Sequence, residues 1–179
     1  MSVKNLWSLN IDELLVVDKL KYSLNKTDYE VFFPINSQMK DIDLMIYNIK
    51  KRKVRTIQVK GSRTYTPRDS EVEKYGNGSA TWFALDYETI RHPRNRVDFF
   101  IFVLHSTFDG QLKKEITINY LIIPFNDLKK IVSRKSRQSK KCHFLIWIDP
   151  RGKRAFDFRN RGGNQIFLSK YLDNWDLLR

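Results

Sequence analysis

The run FFIFVL at residues 99–104 is apolar without a break. It is too short for the ~18 residues of a membrane-spanning helix and has the length of a buried strand. Burying it requires a core, and a chain of 179 residues is most simply one domain long enough to build one. The neighbouring patterns agree. Residues 81–85, 97–105 and 116–124 read as strands, and residues 28–34 as a short strand stopped by Pro34. HFLIWID and RAFDF read as a strand pair around the turn PRGK. Residues 10–26 carry apolar positions 11, 14, 15, 20 and 24 at near-helical spacing, with Asn10 as the N-cap. A second helix is expected over residues 126–138 behind Asn126, and a third, amphipathic one over 164–178. Residues 61–80 hold three of the seven glycines and read as a long, mobile loop around Gly76 and Gly78. A helix, then strands, then mixed elements make an α/β (α+β) domain.

Charge narrows the function. An apolar fraction of 41% and an aromatic fraction of 13% fit a folded protein, and a net charge of +13 calls for a polyanionic partner. An anionic membrane is the weaker choice, because no helix combines a basic face with low overall hydrophobicity. Asp12 and Glu13 interrupt the apolar N-terminal stretch and no small-residue cleavage site follows, so no signal peptide is expected. Cys142 is the one cysteine, which excludes an intrachain disulfide and a cysteine-based zinc site and suits an intracellular (cytoplasmic) setting. His92, His105 and His143 have no metal-ligand spacing and read as structural. GGN at 162–164 lacks the strand–turn–helix context of a nucleotide fingerprint.

The chemistry concentrates in residues 42–60, two alternating runs joined by KKRK. With residues 51 and 52 at the tip, Asp43 faces Lys60, Leu44 faces Val59 and Ile46 faces Ile57. Leu44, Ile46, Ile57 and Val59 then share one face, and Asp43, Tyr47, Thr56, Gln58 and Lys60 the other. One end of the hairpin thus carries a carboxylate, an amide oxygen and an ammonium. The first two suit a hard cation, together with a backbone carbonyl and water. A lysine beside them can orient or deprotonate an attacking water and stabilise charge on a phosphate. An exposed Asp–Lys cross-strand pair is also a common stabiliser, worth under ~1 kcal/mol.

At DIDLMI and IQVKGS the sequence resembles the PD-(D/E)xK nuclease superfamily. The resemblance covers residues 10–60, and 97–104 loosely. It implies a restriction-endonuclease-like core, a mixed central sheet flanked by helices, within a single domain over 1–179. The catalytic core would span about 10–125, with basic elements over 126–179. It also assigns roles: Asp43, Gln58 and the Val59 carbonyl hold Mg²⁺ (or Mn²⁺), Lys60 positions the water, and Glu13 assists from the first helix. Gln58 stands where most of the family has an acid, and there is no Pro before Asp43. The Gln variant resembles homing-type endonucleases, and a neutral ligand lowers the charge of the site.

Twelve Lys or Arg lie between 129 and 161 against Asp149 and Asp157. The aromatic residues among them, Phe144, Trp147, Phe156 and Phe158, are expected in the core. Candidate DNA contacts are Lys51, Arg52 and Lys53 at the hairpin tip, Arg63, Tyr65, Arg68 and Lys74 after it, and Arg134, Lys135 and Arg137 in the basic helix. The expected function is a Mg²⁺-dependent DNA endonuclease acting on duplex DNA as a homodimer or homotetramer. The other reading is a nucleic-acid-binding module that keeps the fold without the metal.

Overall fold

The computed structural model describes residues 10–34, 41–91, 97–109, 114–135, 140–149, 153–158 and 165–179. Helix α1 (Ile11–Ser23) starts where the capping residue predicts, with the Asn10 side chain accepting from the Asp12 N–H and with Asp12 and Glu13 in the first turn. Strands β1 (Tyr29–Phe32), β2 (Leu44–Asn48) and β3 (Lys53–Gly61) follow as an antiparallel meander. The chain then leaves through β4 (Arg63–Tyr65), α2 (Asp69–Tyr75), β5 (Ser79–Asp86) and α3 (Tyr87–Arg91). It returns as β6 (Phe99–Asp109), parallel to β3, and turns back as β7 (Lys114–Pro124). Helix α4 (Phe125–Ser133), β8 (Lys141–Ile148), β9 (Ala155–Asp157), β10 (Ile166–Phe167) and two 3₁₀ turns (Ser169–Tyr171, Trp175–Leu178) complete the described chain.

Among the described residues the strands make two sheets, β1-β2-β3-β6-β7 and β10-β9-β8-β5-β4. The first is the mixed sheet that was expected, with β3 and β6 as its parallel pair. The unbroken FFIFVL run is explained by cover on both sides. Phe99, Ile101 and Val103 face α1, packing with Val16, Leu20 and Ile57. Phe100, Phe102 and Leu104 face the second sheet and helices α3 and α4. Phe83 stacks on Phe102 with ring centroids 4.2 Å apart and on Phe144 at 4.8 Å. Each such pair adds ~0.5–1.5 kcal/mol beyond the area it buries. Helix α2 covers part of the outer face of the second sheet, where Val72 and Tyr75 meet Ala80, Trp147 and Phe156. No helix among the described residues is long and apolar enough to cross a membrane.

Four sequence expectations are corrected. Residues 61–80 are not one loop: they hold β4 and α2. Helix α2 is closed by Glu71, whose carboxylate accepts from the Arg68 N–H at 2.9 Å, and it stops at Gly76 with φ +83°. Gly78 sits against the Trp147 indole, 2.3 Å from where its Cβ would lie. Helix α4 begins at Phe125 behind Pro124 rather than behind Asn126. The third helix does not form. The backbone of 165–179 is claimed by tertiary partners, with the Leu168 N–H donating to Ala155 O and the Asp173 N–H to Tyr120 O.

The fourth correction is the hairpin register. Leu44 pairs with Ile57, Ile46 with Arg55 and Asn48 with Lys53, two residues away from the expected pairing. The cause is local: Asn48 Oδ1 accepts from the Lys51 N–H at 2.8 Å, and Arg52 takes φ +49°, which closes the turn over residues 49–52. A shift of two keeps every side chain on its expected face. Leu44, Ile46, Ile57 and Val59 are accordingly buried.

Candidate metal and nucleic-acid site

Strand β2 ends at Leu44 while β3 runs on to Gly61, so the last residues of β3 lose their neighbour on that side. Asp43 fills the gap. Its N–H donates to Ile57 O at 2.9 Å and its Oδ2 accepts from the Val59 N–H at 2.7 Å. The observed register, continued one step, sets Asp43 opposite Gln58 rather than Lys60. The Val59 carbonyl leaves the strand on the same side as its N–H, towards the Asp43 carboxylate.

Gln58 lies on the opposite face of β3 from Val59, in register with Phe100 of β6. That face was expected to be half solvated, and Thr56 and Lys60 on it are half-buried, but Gln58 is enclosed. Gln58 is 4% exposed, and its Oε1 has no hydrogen-bond partner among the described residues. An orphaned buried acceptor costs ~1–3 kcal/mol, which a cation or a held water offsets. Lys60, two residues on, is half-buried and makes no ion pair among the described residues. The donor set therefore fits a hard divalent cation: Asp43 carboxylate, Gln58 amide oxygen and Val59 carbonyl, with water and phosphate oxygens left to complete it. No cluster of three or more His, Cys, Asp or Glu side chains able to hold a metal occurs among the described residues.

The first turn of α1 meets the far end of β3. Glu13 is half-buried there. Asp12, to which the sequence assigned no site role, also reaches this end of β3. The Asp12 carboxylate occupies the space that a Cβ on Gly61 would take, so a larger residue there would push that carboxylate aside. Asp12 Oδ1 also lies 2.7 Å from His105 Nε2, and the His105 N–H donates to Ser62 Oγ at 3.1 Å. His105 thus has a partner on α1 for its side chain and one at Ser62 for its backbone N–H. Only the β3–β6 register, which sets Gly61 beside Val103, brings it to Asp12.

The proposed phosphate contacts separate into three groups. Lys51, Arg52 and Lys53 are exposed at the hairpin tip without ion-pair partners among the described residues, and Lys50 beside them pairs with Asp28 at 2.8 Å. That bond and Thr27 hold the Asp28 carboxyl below its usual range. Arg63, Arg68, Lys74 and Arg134 are exposed, and Tyr65 is half-buried with its hydroxyl donating to Glu71 at 3.2 Å. Lys135 is a correction. Its ammonium is buried in an ion pair with Asp157 and lies 4.3 Å from the centre of the Phe144 ring, so it faces the core instead of DNA. Arg137, His92 and residues 162–164 lie outside the described residues.

No protein-family model matches the chain, and no curated protein matches it. Among solved structures it is similar to a bacterial homing endonuclease, with a TM-score of 0.44 and 15% identity over 94% of this chain and 88% of that one.

Proposed function

We propose that this protein is a metal-dependent DNA endonuclease that hydrolyses phosphodiester bonds at the open end of the β2–β3 hairpin. One observation carries the reading. Asp43 accepts from the Val59 N–H at 2.7 Å, and Val59 stands between Gln58, whose buried Oε1 has no partner among the described residues, and Lys60, at the end of β3 that β2 does not reach. Asp43, Gln58 and the Val59 carbonyl would hold Mg²⁺, with Mn²⁺ as a substitute. Such an ion, when bound, supplies charge neutralisation at a phosphate and lowers the pKa of a water. Lys60 places a positive charge beside that phosphate and orients the water, and Glu13 assists from α1 directly or through a water. Cutting both strands of a duplex calls for two such sites, which a homodimer or homotetramer provides.

The bond from the Val59 N–H to Asp43 favours a second reading, because it gives Asp43 a structural role whether or not a metal binds. In that case the protein is a nucleic-acid-binding module that does not cleave. Supercoiled plasmid incubated with and without Mg²⁺ separates the two. The endonuclease nicks or linearises it only with the cation, Lys60→Ala loses cleavage while keeping DNA binding, and Asp43→Ala loses cleavage. Wild-type protein inert with both Mg²⁺ and Mn²⁺, or an Asp43→Ala variant as active as wild type, ends the catalytic reading.

A further inference from the structure

Beyond Gly61, the strand that carries Gln58 and Lys60 crosses into the second sheet as β4, its edge strand. Arg63 pairs there with Trp82 of β5, and the guanidinium lies 5.5 Å from the centre of the indole. Trp82 in turn stacks on His143 of β8, with centroids 5.8 Å apart and planes 18° from parallel. Strands β4 and β8 flank β5 on opposite sides, so the three side chains form a row, cation–indole–imidazole. Trp82 and His143 are half-buried and Arg63 is exposed at the end of the row, without an acidic partner among the described residues.

A free surface arginine spreads over many rotamers and gives up ~2 kcal/mol of entropy when a ligand fixes it. A guanidinium laid on an indole face keeps its N–H edge available while losing much of that freedom in advance. The anion it suits is planar-fork chemistry, a phosphate oxygen pair. Three residues of extended chain from Lys60 to Arg63 span about 10 Å, or roughly three phosphates of one strand at ~3.4 Å of duplex axis each.

We propose that Arg63 is a phosphate clamp for the DNA strand entering the hairpin site, and that Trp82, backed by His143, is the positioning residue that holds it ready. This rests on the nuclease reading for the site but not on catalysis, so it is tested without metal. Equilibrium binding of duplex DNA to the full chain in EDTA is measured for wild type, Arg63→Ala, Trp82→Leu, the double variant and Trp82→Phe, each checked for a cooperative melt. Arg63→Ala is expected to weaken binding several-fold and to lower the salt slope by about one. Trp82→Leu weakens binding although it removes no charge, the double variant is no worse than Arg63→Ala alone, and Trp82→Phe, which keeps a ring face, stays near wild type. Should Trp82→Leu not fold, His143→Leu takes its place, with a smaller loss that again vanishes in the Arg63→Ala background. Losses that multiply in the double variant, or a folded Trp82→Leu that binds like wild type, overturn the clamp. A wild-type chain that does not bind DNA in EDTA overturns both the clamp and the DNA-binding part of the proposed function.

Discussion

Gln58 is the residue on which local pattern and tertiary setting disagree most. Its strand phase sets it beside Lys60, yet the fold seals it from water and leaves its Oε1 without a partner among the described residues. Gln58→Glu turns that position into a buried carboxylate, which without a counter-ion costs roughly 3 kcal/mol. The melting temperature should therefore fall in EDTA, and Mg²⁺ or Mn²⁺ should raise it more than in wild type. A variant whose melting responds to Mg²⁺ no more than to NaCl of equal ionic strength would remove the cation from this position. Tyr120 gives a pH signature. Burial pushes its phenol up to about 12, and the carboxylates of Asp173, Asp18 and Asp12 act in the same direction. Unfolded, the phenol loses its proton near pH ~10. Stability from this group is therefore complete below pH ~10 and is lost as the pH rises to ~12, by roughly 3 kcal/mol. Urea titrations at pH 9 and 11.5 should show a steeper loss for wild type than for Tyr120→Phe.

Among the elements, α4 is fixed at its end by a polar contact inside the core. Lys135, just past the helix, reaches the fully buried Asp157 of β9, which also accepts from the Leu145 N–H at 3.2 Å. Removing one partner of a buried ion pair costs ~3–5 kcal/mol. Lys135→Met is expected to cost that much in chemical denaturation, and adding Asp157→Asn should recover part of it. A Lys135→Met variant as stable as wild type would mean that the pair contributes nothing to the stability of the fold. The contact also changes how the basic surface is tested, since charge reversal at Lys135 breaks the core while reversal at Arg134 alone does not.

Across the whole molecule, the exposed tip of the hairpin and the proposed metal site lie at opposite ends of β3. From Lys53 to Lys60 is about 23 Å at ~3.3 Å per residue. A duplex lying along β3 would pass about seven phosphates per strand at ~3.4 Å each. Binding should weaken steeply with salt, because each neutralised phosphate releases counterions. Lys51→Glu with Arg52→Glu should lower affinity and flatten the salt slope without lowering the melting temperature, since both side chains stand in solvent. An affinity insensitive to salt, or a double variant that binds like wild type, would place the DNA elsewhere.

What the sequence determined by itself is what depends on neighbours along the chain. Periodicity and capping mark α1 behind Asn10 and the strands at 97–105 and 116–124, and alternation assigns the two faces of the hairpin. It also brings Asp43, Gln58 and Lys60 to one hairpin end, because an error of two residues in register leaves the faces unchanged. The tertiary structure decided the rest. Asn48 and Arg52 closed the turn early and moved Asp43 opposite Gln58. The fold buried Gln58 on the otherwise half-exposed side of β3, and Asp157 drew Lys135 inward. Partners on β7 and β9 took the backbone groups that a helix over 164–178 would have used for itself. The turn was settled by a bond three residues long, which alternation alone does not reveal; in the other cases the deciding partner is remote in sequence, and a contact with a remote group leaves no periodic trace along the chain.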